Sequence, residues 1–389
     1  MLSEAEAVLE RVWGYPAMRY HQRRAVLAVL RGRDCLAMLP TGGGKSICFQ
    51  LPALIRPGLT LVVSPLISLM QDQVQALRAK GVAAAYLSST QPPEEQAGIR
   101  EALTAGQLKL LYVAPERLER IVGNRVPVSF LAVDEAHCIS EWGHEFRPHY
   151  RALGRHRRAL GRPVTLAVTA TATPATRRDV VRSLGLSGPV TVTQSFDRPN
   201  LWFGVRRCRD EATRLALAVS RLRQVGEGSA IVYVPTRNRT DGVAQALRWR
   251  GLAASPYHAG LPPAARKGLL DQFLDGSVRV MVATNAFGMG IDKPDVRLVL
   301  HLGIPARPEA YYQEAGRAGR DGAPGRCEVL WVARDLPLMA HLSGRGPAAV
   351  DGRKTMQRYV RSRRCRRAIL LGYLGDETSD CAGCDSCRP

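Results

Sequence analysis

Leu39 to Gln50 reads LPTGGGKSICFQ, with three glycines, a lysine and a serine directly after the apolar run CLAML. A strand, a tight glycine turn and then a helix would aim several backbone N–H groups and a helix N-terminus at one phosphate-sized space. Thr41, Gly42, Gly43 and Gly44 would form the cradle, Lys45 would reach the β/γ-phosphates of ATP, and Ser46 would serve Mg²⁺. Further on, FLAVDEAHC ends an apolar run in two adjacent carboxylates. Asp134 there could hold the Mg²⁺, and Glu135 could orient and deprotonate an attacking water. A third stretch, QEAGRAGRDG, spaces Arg317 and Arg320 three apart. On a helical turn they point the same way, as a pair reaching a γ-phosphate across a domain cleft must. Taken singly, a glycine turn, an Asp-Glu pair ending a strand, or two surface arginines need no ligand. Their combination points to phosphoryl transfer.

The C-terminus carries a separate chemistry. Cys365, Cys381, Cys384 and Cys387 follow the spacing C-x15-C-x2-C-x2-C. Two overlapping C-x-x-C turns and a distant fourth thiolate can close a tetrahedral zinc site with no open position, which is structural and not catalytic. A disulfide pair and an iron–sulfur cluster are the alternatives. Asp351 to Arg367 holds eight Lys or Arg against one Asp, either a solvated helix face or a phosphate-binding ridge. The other cysteines, Cys35, Cys48, Cys138, Cys208 and Cys327, sit in or beside apolar runs, as inert buried thiols do.

These groups need a scaffold. Short runs rich in Val, Leu and Ile recur at 35–39, 59–63, 108–113, 130–133 and 164–168, with helical-period segments between them. This βα alternation predicts a buried parallel sheet. The same rhythm returns at 230–234, 278–283, 296–300 and 327–332, after VTQSFDRPNLWF breaks it. The expected fold class is α/β: two tandem RecA-like domains, 1–195 and 196–335, then a small helical zinc-binding subdomain, 336–389. HLSGRGPAAVDGR reads as a loose connection, and TMQRYVRSRRCRRAILLGYLGD as helical. The 389 residues are 46% hydrophobic, ample for packed cores, and 55 Lys and Arg against 34 Asp and Glu leave a charge of +21. That excess favours a polyanionic partner over a small neutral substrate, without separating DNA from RNA or from an anionic membrane surface. No apolar run is long enough to span a bilayer, and the acidic start MLSEAEAVLERVWGY is unlike a signal or transit peptide. A cytoplasmic protein is the expectation.

In order along the chain, GYPAMRYHQ, PTGGGKS, VVSPLISLMQDQ, DEAH, CISEWGHEFRP, TATAT, FDRPN, YHAGL, ATNAFGMGIDKP and QEAGRAGRDG resemble the motifs of the RecQ family of superfamily 2 helicases. The likeness covers essentially the whole length, and CISEWGHEFRP is its most distinctive part. The strict P-loop glycine six residues before the lysine is replaced by Leu39, as suits helicase-type variants. The resemblance implies that Tyr15 stacks on adenine while Arg19 and Gln22 bond its edge, and that Gln313 lies in the nucleotide-facing motif of the second domain. It implies that Trp142, His144, Phe146 and Arg147 form an aromatic-rich loop that senses single-stranded DNA. His137, Thr169 and Thr171 would link the two domains, and Thr236, Arg237, His258, Thr284 and Met289 would line the DNA backbone. Val234-Pro235 departs from the polar pair often found before Arg237. His149 and His156 read as surface residues.

The activity so implied is ATP-dependent 3′–5′ translocation on single-stranded and forked DNA with duplex unwinding, in repair or recombination, by a nucleoid-associated monomer. A DNA-binding or strand-annealing protein whose ATPase regulates its grip is the rival. RecQ enzymes commonly continue into winged-helix and further helical domains, whereas this chain stops two residues after Cys387. The expectation is therefore ordinary DNA-stimulated hydrolysis, with unwinding limited to short or 3′-tailed duplexes.

Overall fold

The computed structural model describes the chain apart from Thr41, Ser89 and Thr90, 124–125, 141–146, 289–292, Arg345, 378–379 and 388–389. It divides into two compact units, Met1–Ser195 and Phe196–Pro389. The first is built on β1 (Cys35–Met38), β2 (Leu59–Val63), β3 (Ala84–Leu87), β4 (Leu110–Val113), β5 (Val128–Val133), β6 (Val164–Thr169) and β7 (Val190–Thr193). These form one sheet in the order β3-β4-β2-β5-β6-β1-β7, every pair parallel. Crossover helices cover both faces of such a sheet, so its inner strands are mostly apolar. All residues of β1, β2 and β4 are buried, and Ala37, Phe130, Leu166 and Val168 pack with Val29, Phe49, Met70 and Val74 of the covering helices.

The second unit repeats the plan with β8 (Leu201–Arg207), β9 (Ser229–Tyr233), β10 (Ala254–Tyr257), β11 (Val280–Ala283), β12 (Val296–Leu302) and β13 (Gly325–Trp331). Their order is β10-β11-β9-β12-β13-β8, again parallel. Pro256 lies inside β10, where an edge position leaves one side of the strand free of ladder bonds. Three helices follow, Asp335–Leu342, Pro347–Arg361 and Arg366–Leu374. Most of the stretch expected to be a loose connection is thus helical. Pro347 starts the second helix at a position where its missing N–H costs nothing. Gly352 lies inside that helix, where a Cβ would sit 3.3 Å from Arg307 Cγ. Among the described residues no helix is long and apolar enough to cross a membrane.

One buried ion pair ties the first unit together. Asp34, just before β1, accepts from Arg157 Nη2 at 2.8 and 2.9 Å, from Thr165 N at 2.9 Å and from Ser187 N at 3.1 Å. Both partners are over nine-tenths buried. His156 beside it is also buried, a correction to its reading as a surface residue, and burial, then Arg155, push its pKa down. Removing one member of such a pair strands the other in low dielectric. We expect Arg157→Ala to destabilise the first unit by about 3–5 kcal/mol, read as a shift of its urea transition. An unchanged midpoint would mean that the backbone donors suffice for Asp34.

Candidate active site and metal centre

The turn after β1 takes the shape that its glycines permit. Gly42 and Gly44 have φ of 80° and 70°, a region where a Cβ is strained. A Cβ on Gly43 would lie 2.8 Å from Pro40 O, and one on Gly44 would lie 2.1 Å from Gln22 Nε2. Leu39, at the place of the missing glycine, is fully buried in the sheet core and donates its N–H to Thr169 O. Arg19 Nη1 donates to Gly42 O at 2.8 Å, and Gln22 Nε2 to Gly44 O at 3.2 Å. The two residues expected at an adenine edge therefore also brace the glycine turn. Tyr15, Arg19, Gln22, Gly42, Gly44 and Ser46 line a single cavity of about 460 Å³, wide enough for a nucleotide.

The order β5-β6-β1 sets Asp134 and Glu135 two strands away from the glycine turn at the same carboxyl edge, about 10 Å across. Ligands of open parallel sheets bind at this edge. Asp134 is buried. Burial, then the Glu135 carboxylate, push its carboxyl up, and Lys45 pulls it down. Lys45 and His137 together still leave the Asp134 carboxyl raised, which fits a divalent cation held by Asp134 and Ser46. Glu135 has φ 46°, ψ 48°, a left-handed conformation that a glutamate adopts at a cost of about 1–2 kcal/mol. It pairs with His137 Nδ1 at 3.3 Å, and the same nitrogen lies 2.9 Å from Thr169 Oγ1. Thr169 Oγ1 in turn donates to Thr171 O. His137, Thr169 and Thr171 thus form one buried chain leading from Glu135 to the end of β6.

Several contributing residues carried no sequence signal. The Tyr150 hydroxyl donates to Asp134 O at 3.1 Å. Gln50 bridges Gln73 at 2.6 Å and the Tyr112 hydroxyl at 2.8 Å behind the glycine turn. Arg147, which the sequence does single out, donates from Nη1 to Pro65 O at 2.8 Å. Thr41, Trp142, His144, Phe146 and Met289 lie outside the described residues.

In the second unit Arg237, His258 and Thr284 follow β9, β10 and β11, three neighbouring strands, at their carboxyl ends. Thr236 sits at the N-terminal boundary of the helix Arg237–Arg248, without a side-chain capping bond. His258 Nδ1 accepts from Gly260 N, Nε2 lies 3.3 Å from Asp241, and Thr284 N donates to Tyr257 O. The helix Pro308–Ala315, which carries Gln313, ends before Arg317 and Arg320. This corrects the helical expectation: both arginines lie in the turn that follows, where Arg317 N donates to Glu314 O and Ala318 N to Ala315 O. These i→i+3 bonds stop at Ala318, and Gly319, with φ 56°, lies between the two arginines, so helical spacing does not align them. Arg317 is buried beside the Tyr233 hydroxyl.

The Sγ atoms of Cys365, Cys381, Cys384 and Cys387 all lie within 4.8 Å of one another, and those of Cys365 and Cys384 are 4.0 Å apart. A tetrahedral ZnS₄ centre with 2.3 Å bonds requires sulfurs roughly 3.8 Å apart, so the donor set fits zinc. Burial pushes the Cys384 thiol up, but backbone N–H groups of Arg366, Ser386 and Cys387 bring it down to about 7. The remaining five cysteines are buried, and desolvation pushes Cys35, Cys48 and Cys327 up to about 12, as inert thiols. The basic run needs a correction. Arg366 binds Asp385 at 2.7 Å and Tyr359 O and Ser362 O. Arg367 binds Asp197, Arg198 O and Leu201 O. Both are buried and hold the zinc region to the sheet. Lys354, Arg358, Arg361, Arg363 and Arg364 remain exposed.

Residues 19–180 match the DEAD/DEAH box helicase family, 213–322 the helicase conserved C-terminal domain and 347–388 the RecQ zinc-binding family. The chain is 40% identical to an ATP-dependent DNA helicase RecQ of Haemophilus influenzae, over 98% of this chain and 63% of that protein. It is 45% identical to an ATP-dependent DNA helicase RecQ of Synechocystis, over 84% of this chain and 70% of that one. It thus spans less than two thirds of the Haemophilus relative's length. Among solved structures, S. cerevisiae Dbp5 bound to RNA and ADP BeF3 is similar with a TM-score of 0.67 at 18% identity, over 91% of each chain, a likeness of fold.

Elemental analysis of freshly reduced protein should find one zinc per chain, and Cys384→Ser should lose it with the order of the C-terminal region, since metal binding in such modules contributes about 10 kcal/mol or more to folding. Iron, or no metal, would overturn the assignment.

Proposed function

The chain belongs to the RecQ family of helicases, and from that premise we propose that it hydrolyses ATP to move 3′ to 5′ along single-stranded DNA and to unwind duplex in repair or recombination. The observation that carries the reading is the carboxyl edge of the first sheet, where the glycine turn and Ser46 line a cavity with Tyr15, Arg19 and Gln22, and where Lys45 acts on the buried Asp134 carboxyl beside Glu135. Tyr15, Arg19 and Gln22 take the adenine. Gly42, Gly43, Gly44 and Lys45, with Thr41, take the phosphates, and Ser46 and Asp134 hold Mg²⁺, which supplies positive charge to the phosphate oxygens. Glu135 accepts the proton of the attacking water. Its unusual backbone aims the carboxylate away from the line of β5, and His137 and Thr169 hold it there. Gln313, Arg317 and Arg320 serve the γ-phosphate, and an arginine in that role is worth about 10³–10⁵ in rate.

For DNA, Trp142, His144, Phe146 and Arg147 act as the sensing loop, and Arg237, His258, Thr284 and Met289 as part of the backbone track. The contact from Arg147 to Pro65 O supports this, because it ties the sensing loop to the turn after β2. The +21 charge supports single-stranded and forked DNA as the partner and a place at the nucleoid in the cytoplasm, with the chain acting as a monomer. Domain limits of 1–195, 196–335 and 336–389 describe the working parts.

Hydrolysis rates with single-stranded DNA, duplex DNA and RNA test the proposal. Lys45→Ala should abolish turnover while single-stranded DNA still binds; near-normal turnover would remove the phosphate assignment. Trp142→Ala should keep basal hydrolysis and lose most of the stimulation by single-stranded DNA, since one stacked base is worth about 1–3 kcal/mol. Equal stimulation in mutant and wild type would leave Trp142 without a sensing role. Strong DNA binding and stimulated hydrolysis without strand displacement would favour the annealing protein.

A further inference from the structure

At the amino ends of β9, β10 and β11, the opposite edge of the second sheet from Thr236, His258 and Thr284, lies a cavity of about 330 Å³. Its apolar lining comes from Leu222, Val225, Leu252 and Val280, and its charged lining from Arg223 and Arg279. Leu222 and Val280 belong to the hydrophobic core and Val225 and Leu252 pack against it, so the cavity opens onto the underside of that core. Beside it the chain runs Arg248-Trp249-Arg250 into the lining residues that follow. Trp249 is 78% exposed, and Arg223 Nη2 donates to Arg250 O at 3.1 Å, which joins this segment to the cavity rim.

Arg223, Arg248, Arg250 and Arg279 are all exposed. Each donates to backbone carbonyls, to Arg250, Ala254, Ala246 and Gly226 respectively. Among the described residues none is paired with a carboxylate. Of the nearby acids, Asp295 is held by Lys293, and Glu227 is exposed, with no ion pair among the described residues. A guanidinium has five N–H donors in a fixed fork, so each of these retains donors for an anion, and bidentate carboxylate is the partner that the fork fits best. Tryptophan and arginine are also the residues that most often anchor protein interfaces.

We infer that this edge is a docking surface for an acidic peptide segment of a partner protein, with an apolar side chain seated in the cavity and flanking carboxylates on the arginines. Charge complementarity decides for an anion, and the aliphatic floor of Leu222, Val225, Leu252 and Val280 matches an aliphatic side chain better than a planar base, which leaves nucleic acid stacked on Trp249 as the competing outcome of the test. The surface is independent of the ATP site, so the inference does not rest on the function proposed above.

The test is fluorescence anisotropy with the full chain and three labelled probes: a ten-residue peptide of aspartates around two leucines, the same peptide with serine for leucine, and a ten-nucleotide oligo-dT. The leucine peptide should bind, the serine peptide at least about tenfold more weakly, and added salt should weaken both. Ala253→Phe, which fills the cavity from an exposed lining position, and Arg250→Glu should each lower leucine-peptide affinity about tenfold or more, with DNA-stimulated hydrolysis unchanged as the check on folding. Trp249→Ala gives a second variant at a position that no packing depends on. No binding, equal binding of the two peptides, or variants without effect would overturn the inference. So would displacement of the peptide by oligo-dT together with equal loss of oligo-dT binding in Arg250→Glu, which would give the surface to nucleic acid.

Discussion

Holding the Asp134 carboxylate out of water at the end of a buried strand is unfavourable unless positive charge is brought to it, and much of the first unit is arranged around that requirement. Lys45 contributes part of the charge, from a turn whose two left-handed glycines let the backbone close around an anion. Tyr150 holds the Asp134 carbonyl, and the strained Glu135 is fastened through His137 to Thr169. A divalent cation at this edge would add positive charge to the balance. Nucleotide binding and the local stability of this edge are therefore one equilibrium, since whatever fills the site also relieves the buried acid.

Arginine does two kinds of work in this chain, and net charge alone does not distinguish them. Arg157, Arg214, Arg366 and Arg367 are buried and meet carboxylates or carbonyls. Arg214 lies between Asp335 and Glu211 and so fastens the first helix of the second unit to the end of its sheet. Lysine could not replace these residues, because a point charge does not satisfy several acceptors arranged around a plane. Each of the four meets a carboxylate, so these pairs cancel and the net positive charge is carried by the other basic residues.

The glycine turn, the acid pair and the cysteine spacing were legible because each is a local arrangement: adjacent residues on one strand or turn bring their own geometry. The inner strands were legible because burial on both faces leaves them mostly apolar, with only scattered polar residues such as Thr60 in β2. Strands at or near an edge were harder. β7 reads VTVT and is half exposed, β10 contains a proline, and β3 begins with two alanines, so none shows the composition of an inner strand. Tyr150, Gln50 and Tyr112 could not be found from sequence, since their partners lie 16 to 62 residues away and only the folded sheet brings them together. The same holds for Arg366 and Arg367, which share a composition with the exposed arginines before them and differ only in what the chain packs over them.

The cysteine loop also continues the second sheet. Phe203 N donates to Gly383 O, Asp385 N donates to Phe203 O, and the Asp385 carboxylate accepts from Val205 N, so β8 has a covered flank. β8 reads LWFGVRR, and once uncovered it would present a row of unpaired backbone groups with Trp202 and Phe203 among them, a template on which another chain can add. The metal thus guards solubility as well as shape. Oxidation of the thiols would register first as self-association, before any slowing of hydrolysis, because the part that unravels is remote in sequence from the nucleotide site and adjacent to the one flank that must stay closed.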